Sequence, residues 1–290
     1  MLPILEEIVN RTRRDLQEQK TQQPQRELER QAEDLPPPRP FVEALAKGGF
    51  GLIAEIKDRS PSGGVMPPEN VQAAPAAYAA AEIVRAFSIL TNAPYFGTGL
   101  ETLRRIRKTT DKPILRKDFF VDPYQILEAR VAGADAILLM ANVLHPAEMA
   151  DLHAYAQSLG LAALCEVHTE EEIAALPPGA NLVGINARKF KGDQSTELFA
   201  RSQADTRTDF TLHFDAFALF PALPDRAVKV AESGLSAENL AQVLQTHPFH
   251  AGLVGTSLLK SADGPAAELA RFAEAIQAWE ASVGKSPEVP

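Results

Sequence analysis

Lysine, glutamate and asparagine side chains recur in this sequence directly after short apolar runs, a placement that suits proton transfer around a bound anion. Glu55-Ile56-Lys57 closes one such run and continues as DRSPSGG. Arg116-Lys117-Asp118-Phe119 closes a second and Glu166-Val167-His168 a third. Further along come Gly184-Ile185-Asn186-Ala187-Arg188, Glu232-Ser233-Gly234 and Val254-Gly255-Thr256-Ser257. A lysine ammonium can give up a proton and stabilise a developing alkoxide, a carboxylate can take one, and burial among opposite charges tunes both. Taken singly, Lys57 or Lys117 reads as a surface lysine and Glu55 or Glu166 as its ion-pair partner. Taken together, they read as groups brought to one mouth. Gly234 and Gly255-Thr256 offer backbone N–H groups that an anion can approach closely, or an ordinary strand-to-helix turn.

Convergence of this kind needs a scaffold that gathers strand ends. Runs of aliphatic and β-branched residues predict strands at Leu52–Ile56, Ile83–Leu90, Pro113–Arg116, Ala136–Met140, Ala162–Val167, Leu182–Ile185, Ala227–Ala231 and Ala251–Val254. Helices are expected between them at Asn70–Ala80, Leu100–Lys108, Pro123–Ala132, Pro146–Leu159, Glu170–Leu176, Thr196–Ser202, Ala237–Gln245 and Pro265–Ala278. Eight alternating βα units fit a closed α/β barrel, the (β/α)8 TIM barrel, better than an open doubly wound sheet, and in such barrels the working residues sit at the C-terminal strand ends.

Ile4, Ile8, Thr12 and Leu16 lie four residues apart, which predicts an extra helix over Ile4–Gln19. The tract LPPPRP at 35–40 then reads as a stiff connector. Residues 1–48 are expected to cap the barrel as a helical extension, 49–280 to form the catalytic barrel, and 281–290 to be a disordered tail. The connection from Gly192 to Arg226 is long, and Phe210–Phe220 within it is ambiguous between strand and helix.

Hydrophobic residues make up 45% of the 290, enough for a sizeable core. The formal net charge of -9 argues against a polyanionic partner such as nucleic acid. The first twenty residues mix acids and bases and lack a signal peptide's apolar core, and no membrane span is predicted. A cytoplasmic location is the simplest expectation. Cys165, the only cysteine, lies inside the apolar run LAALC and reads as core packing. The six histidines show no H-x-H or H-x3-H pair, so no metal site is expected.

The strings AEIKDRSPSGG (54–64), SILTNAPYFGTGLE (88–101), ILRKDFFVDPYQILEARVAGADAILL (114–139), CEVH (165–168), GINAR (184–188), VAESG (230–234) and LVGTSLL (253–259) resemble, in order and spacing, those of the indole-3-glycerol-phosphate synthase family. The resemblance implies conversion of 1-(2-carboxyphenylamino)-1-deoxyribulose 5-phosphate to indole-3-glycerol phosphate with loss of carbon dioxide and water, without cofactor or metal. It implies that Lys117 is the general acid of ring closure. Lys57 would contact the substrate's anionic groups and is a candidate acid for dehydration, with Glu55 and Asn186 orienting it or the substrate, and Glu166 is the candidate base. Ser60, Arg188, Glu232 and Ser233 match positions around the substrate, and Phe96, Phe119 and Leu138 an apolar pocket for its aromatic ring. Lys57, Gly234, Gly255 and Thr256 match the phosphate site. A phosphorylated small molecule is then the partner, and a monomer the expected state, with a weak dimer as the alternative. Ala187 and Gly99 depart from the family's usual residues.

Three other readings compete. Phosphoribosylanthranilate isomerase shares the fold but needs a cysteine base at the end of strand one, where this chain has Glu55 and Lys57. A Schiff-base aldolase would use Lys117 or Lys57 as nucleophile. A silent, partner-binding barrel would have no need of so many convergent charges.

Overall fold

The computed structural model describes residues 3–61, 63–188 and 214–283. Eight parallel strands close into a barrel: β1 (Gly51–Ile56), β2 (Val84–Leu90), β3 (Ile114–Lys117), β4 (Ala136–Met140), β5 (Ala162–Val167), β6 (Leu182–Asn186), β7 (Val228–Glu232) and β8 (Ala251–Val254). Each pairs with its sequence neighbours, and β8 returns to β1 with Gly51 opposite Ala251 and Ala54 opposite Val254. Nearly all strand residues are buried because helices cover the outer face while alternate side chains fill the inside. The strands therefore read as continuous apolar runs, broken only where a polar group is placed at a C-terminal end.

Three helices precede the barrel: α1 (Pro3–Gln22), α2 (Gln25–Glu33) and α3 (Phe41–Ala46). Ile8, Thr12 and Leu16 are buried along one stripe of α1, as their spacing requires; the side chain of Ile4 lies outside the described residues. Leu16 and Leu28 pack on Tyr124 and Leu127. Lys20 donates to Asp122 at 2.6 Å and the Tyr124 hydroxyl to the Gln23 carbonyl at 2.9 Å, tying the arm to the barrel. The proline tract has no regular secondary structure and runs against the wall, where Arg130 donates to the Pro36 carbonyl at 2.5 Å and the Arg39 N–H to Asp135 at 2.7 Å.

The remaining helices are α4 (Pro68–Ala80), α5 (Ala93–Phe96), α6 (Leu100–Arg107), α7 (Pro123–Ala132), α8 (Pro146–Ser158), α9 (Glu170–Ala174), α10 (Ala237–Thr246), α11 (Thr256–Leu259) and α12 (Gly264–Val283). Prolines open α4, α7 and α8 at positions where a missing N–H costs nothing. Helix α9 stops two residues short of the expected Leu176, ahead of Pro177 and Pro178, which disfavour further helix. Helix α12 runs past the expected Ala278 to Val283. The described part of the ambiguous aromatic segment falls in a 3-10 helix over Phe214–Ala222, whereas the expected helix Thr196–Ser202 and the tail from residue 284 lie outside the described residues. No described helix is long and apolar enough to cross a membrane.

Candidate active site

The C-terminal strand ends open on one cavity of about 530 Å3. On β1 the alternation of side chains puts Glu55 and Lys57 on the same inward face, and Lys117 and Glu166 reach the same space from β3 and β5. Glu55 holds both lysines. Its Oε1 accepts from Lys57 Nζ at 2.5 Å, and its Oε2 lies 3.4 Å from Lys117 Nζ. On its other side, Lys117 Nζ lies 3.4 Å from Glu232 Oε2.

These charges are almost dry, so they shift one another. Burial works against the Glu55 carboxylate, but the two ammonium groups outweigh it and hold its pKa down to about 2. Burial lowers the proton affinity of Lys57 despite Glu55 beside it. Burial also opposes the charge on Lys117, yet Glu55, Glu232 and Glu166 together raise its affinity above the ordinary lysine value. Glu232 is pushed up to about 8, first by burial and then by Glu166, so it carries its proton at neutral pH. Lys57, Lys117 and Arg188 line the cavity with Glu55 and Glu166, three basic side chains against two acidic ones, which leaves the mouth suited to an anion.

Two glycines make room for this cluster. A Cβ on Gly184 would sit 2.0 Å from Glu232 Oε1, and one on Gly255 would sit 2.6 Å from Glu55 Oε1. The RKDF motif is anchored by its flanking residues. Arg116 donates to Thr91 Oγ1 at 2.9 Å, Glu128 at 2.8 Å and Asp118 at 3.1 Å, while Asp118 accepts from the Phe119 N–H at 2.9 Å. Gln125 donates to the Phe119 carbonyl at 3.0 Å, fixing the turn that follows. Lys117 thus projects from a braced element.

Ser60 lines the cavity from a short hairpin, Arg59–Ser60 with Gly64–Val65, and its hydroxyl accepts from the Gly63 N–H at 2.9 Å. Asn186 and Arg188 line the wall after β6, where Asn186 Oδ1 accepts from the Arg188 N–H at 2.9 Å. Phe96, Phe119 and Leu138 form an apolar wall. At the opposite end come Ser233 and Gly234, then Gly255 and Thr256 at the start of α11. Ser233 has φ 70°, the only positive φ outside glycine among the described residues, and Gly234 follows at 77°. Both residues line the cavity from this turn.

The cavity thus brings together every residue given a catalytic, substrate or phosphate role in the sequence analysis except Glu232, which is fully buried behind Lys117 rather than on the wall. Sequence reasoning missed Leu5, which reaches the wall from the first turn of α1, and Lys260, which adds a cation beyond Thr256. Lys260 lies four residues beyond Thr256, where the turns of a helix return to the same side; Leu5 lies one residue past Ile4 in the predicted helix, off its four-residue stripe.

Fold and site together define a (β/α)8-barrel enzyme equipped for proton transfer on a small anionic substrate. The family model for indole-3-glycerol phosphate synthase matches residues 5–270. The indole-3-glycerol phosphate synthase of Nocardioides sp. is 38% identical over 264 residues, covering 90% of this chain and 95% of that protein. Its counterpart from Bacteroides thetaiotaomicron is 35% identical over 282 residues, 96% of this chain and 100% of that one. Among solved structures, 3-hexulose-6-phosphate synthase from Salmonella typhimurium superimposes with a TM-score of 0.57 at 14% identity, covering 79% of this chain and 100% of that one, a likeness of fold alone. The chain belongs to the indole-3-glycerol phosphate synthase family. It is a carboxy-lyase of tryptophan biosynthesis acting on a phosphorylated small molecule.

Proposed function

We propose that this chain divides its reaction between two lysines bridged by one carboxylate and a base across the cavity. The substrate is 1-(2-carboxyphenylamino)-1-deoxyribulose 5-phosphate. Its aromatic carbon bearing the carboxylate attacks the ketone carbon, and the Lys117 ammonium gives a proton to the ketone oxygen. Carbon dioxide then leaves, its bonding pair restoring aromaticity. The new hydroxyl departs as water with a proton, for which Lys57 is the candidate donor, while Glu166 takes the proton lost from carbon. Glu55 and Asn186 orient these groups.

The observation that carries this reading is the bridge itself: Glu55 holds Lys57 at 2.5 Å and Lys117 at 3.4 Å on its two oxygens. One carboxylate holds both lysine side chains in place at the mouth. The apolar wall of Phe96, Phe119 and Leu138 supports seating of the aromatic ring. Ser60, Arg188, Ser233 and Lys57 contact the substrate's polar groups, with Glu232 acting from behind Lys117. The backbone at Gly234, Gly255 and Thr256 receives the phosphate together with Lys57. A monomer is proposed, with a weak dimer as the alternative, and a cytoplasmic location because the substrate is a phosphorylated metabolite.

Product fluorescence after mixing with the substrate tests the reading. Wild type is expected to form indole-3-glycerol phosphate, whereas folded Lys117→Ala is expected to lose at least 100-fold in kcat, on the order of a general-acid contribution. Full activity in that variant would remove Lys117 from the mechanism.

A further inference from the structure

Glu166 is buried at the end of β5, in the same barrel interior as Glu55 and Glu232. A carboxylate base works only in its ionised form and must be aimed at the proton it takes. Two residues on, and so on the same side of the chain, stands His168. Its Nε2 lies 3.6 Å from Glu166 Oε1, and its Nδ1 lies 3.4 Å from Glu172 Oε2. Glu172 is fixed in turn: its Oε2 accepts from the His168 N–H at 2.6 Å, and its own N–H donates to Thr169 Oγ1 at 3.2 Å at the start of α9. The ring is not on the cavity wall. Among the described residues its link to the cavity is Glu166, which lines it.

We propose that Glu172, His168 and Glu166 form one array in which His168 is a positioning residue, its imidazolium aiming Glu166 and keeping that carboxylate ionised. The inference rests on the reading of Glu166 as the base. The charged groups facing the array agree with it. Burial opposes the imidazolium, but Glu172 from α9 and Glu166 from β5 raise the histidine's proton affinity, with Glu232 from β7 adding to them only once it loses its proton. Two cations also face Glu166: Arg188, after β6, and Lys117, from β3. A lysine in place of His168 would be charged at every working pH. A histidine makes the support conditional: present on the acid side, where a carboxylate base is lost to protonation, and withdrawn on the alkaline side, where it is not needed.

The test compares pH profiles of kcat/KM for wild type, His168→Gln, Glu172→Gln and Glu166→Gln, with circular dichroism as the check on folding. His168→Gln is expected to shift the acid limb upward by roughly 1 pH unit, as loss of one nearby opposite charge does, while the alkaline plateau stays near wild type. Glu172→Gln is expected to shift the limb the same way by less, and Glu166→Gln to be inactive throughout. A His168→Gln profile parallel to or superimposed on wild type would overturn the array, because a ring that only fills space has no reason to act at one end of the pH scale. Should His168→Gln fail to fold, an unshifted acid limb in Glu172→Gln overturns it equally. Activity retained in Glu166→Gln would sink the base reading and the array together, whereas an inactive Glu166→Gln with an unshifted His168→Gln sinks the array alone.

Discussion

At the scale of single residues, the site concentrates ionisable groups where burial would ordinarily forbid them, and each is tolerated for its own reason. Glu55 is offset by two cations, whereas Glu232 avoids the problem by keeping its proton until about pH 8. That difference has a measurable sign. Glu232 binds its proton more tightly folded than unfolded, so the folded state loses stability as pH rises from the ordinary carboxylate range to about 8. Glu232→Gln removes that loss. Thermal melts are expected to show the variant gaining on wild type as pH increases from 5 to 9, while kcat falls because Lys117 loses the carboxyl oxygen that sits 3.4 Å from its Nζ. A stability difference that stays constant across that range would contradict the assignment.

At the scale of elements, each strand is a ruler with one working group at its end, and the neighbouring strand must leave room for it. Gly184 on β6 faces the Glu232 carboxylate of β7, and a methyl at 2.0 Å cannot be absorbed without moving that carboxylate. Gly184→Ala is therefore expected to cost about 1–3 kcal/mol in denaturant unfolding, with activity reduced more than this alone explains because Lys117 is displaced too. Much of this level was legible in the sequence. Apolar runs located all eight strands, since a parallel sheet buried on both faces leaves little room for polar residues, and the charges marked the ends. What escaped notice depended on contacts distant in sequence. Helix α2 has only Leu28 buried, the hairpin strands are two residues long, and nothing in RKDF says that Arg116 braces the turn while Lys117 points inward. Glu232 was recognised as a site residue, but only the packing puts it behind Lys117.

At the scale of the whole molecule, the N-terminal arm belongs to the active site as well as to the fold. Leu5 reaches the cavity wall while Ile8 and Val9, within the next turn, join the main core. Periodicity identified the helix but not its destination. Leu5→Ser is expected to raise KM roughly tenfold, the usual worth of an apolar contact in a binding pocket, with kcat nearly unchanged in steady-state assays. An equal fall in kcat would mean instead that the arm controls the reacting geometry.

The lone cysteine has a practical corollary. Cys165 is sealed in β5 with its thiol pushed up to about 12 by burial, so the folded enzyme should ignore a thiol reagent that labels it fully in denaturant. The hairpin that carries Ser60 to the cavity turns Val65 outward, 72% exposed. Val65→Cys would then be the only addressable position in the native molecule. A dye or spin label placed there would report the hairpin's response to substrate directly, with no native thiol to engineer away first.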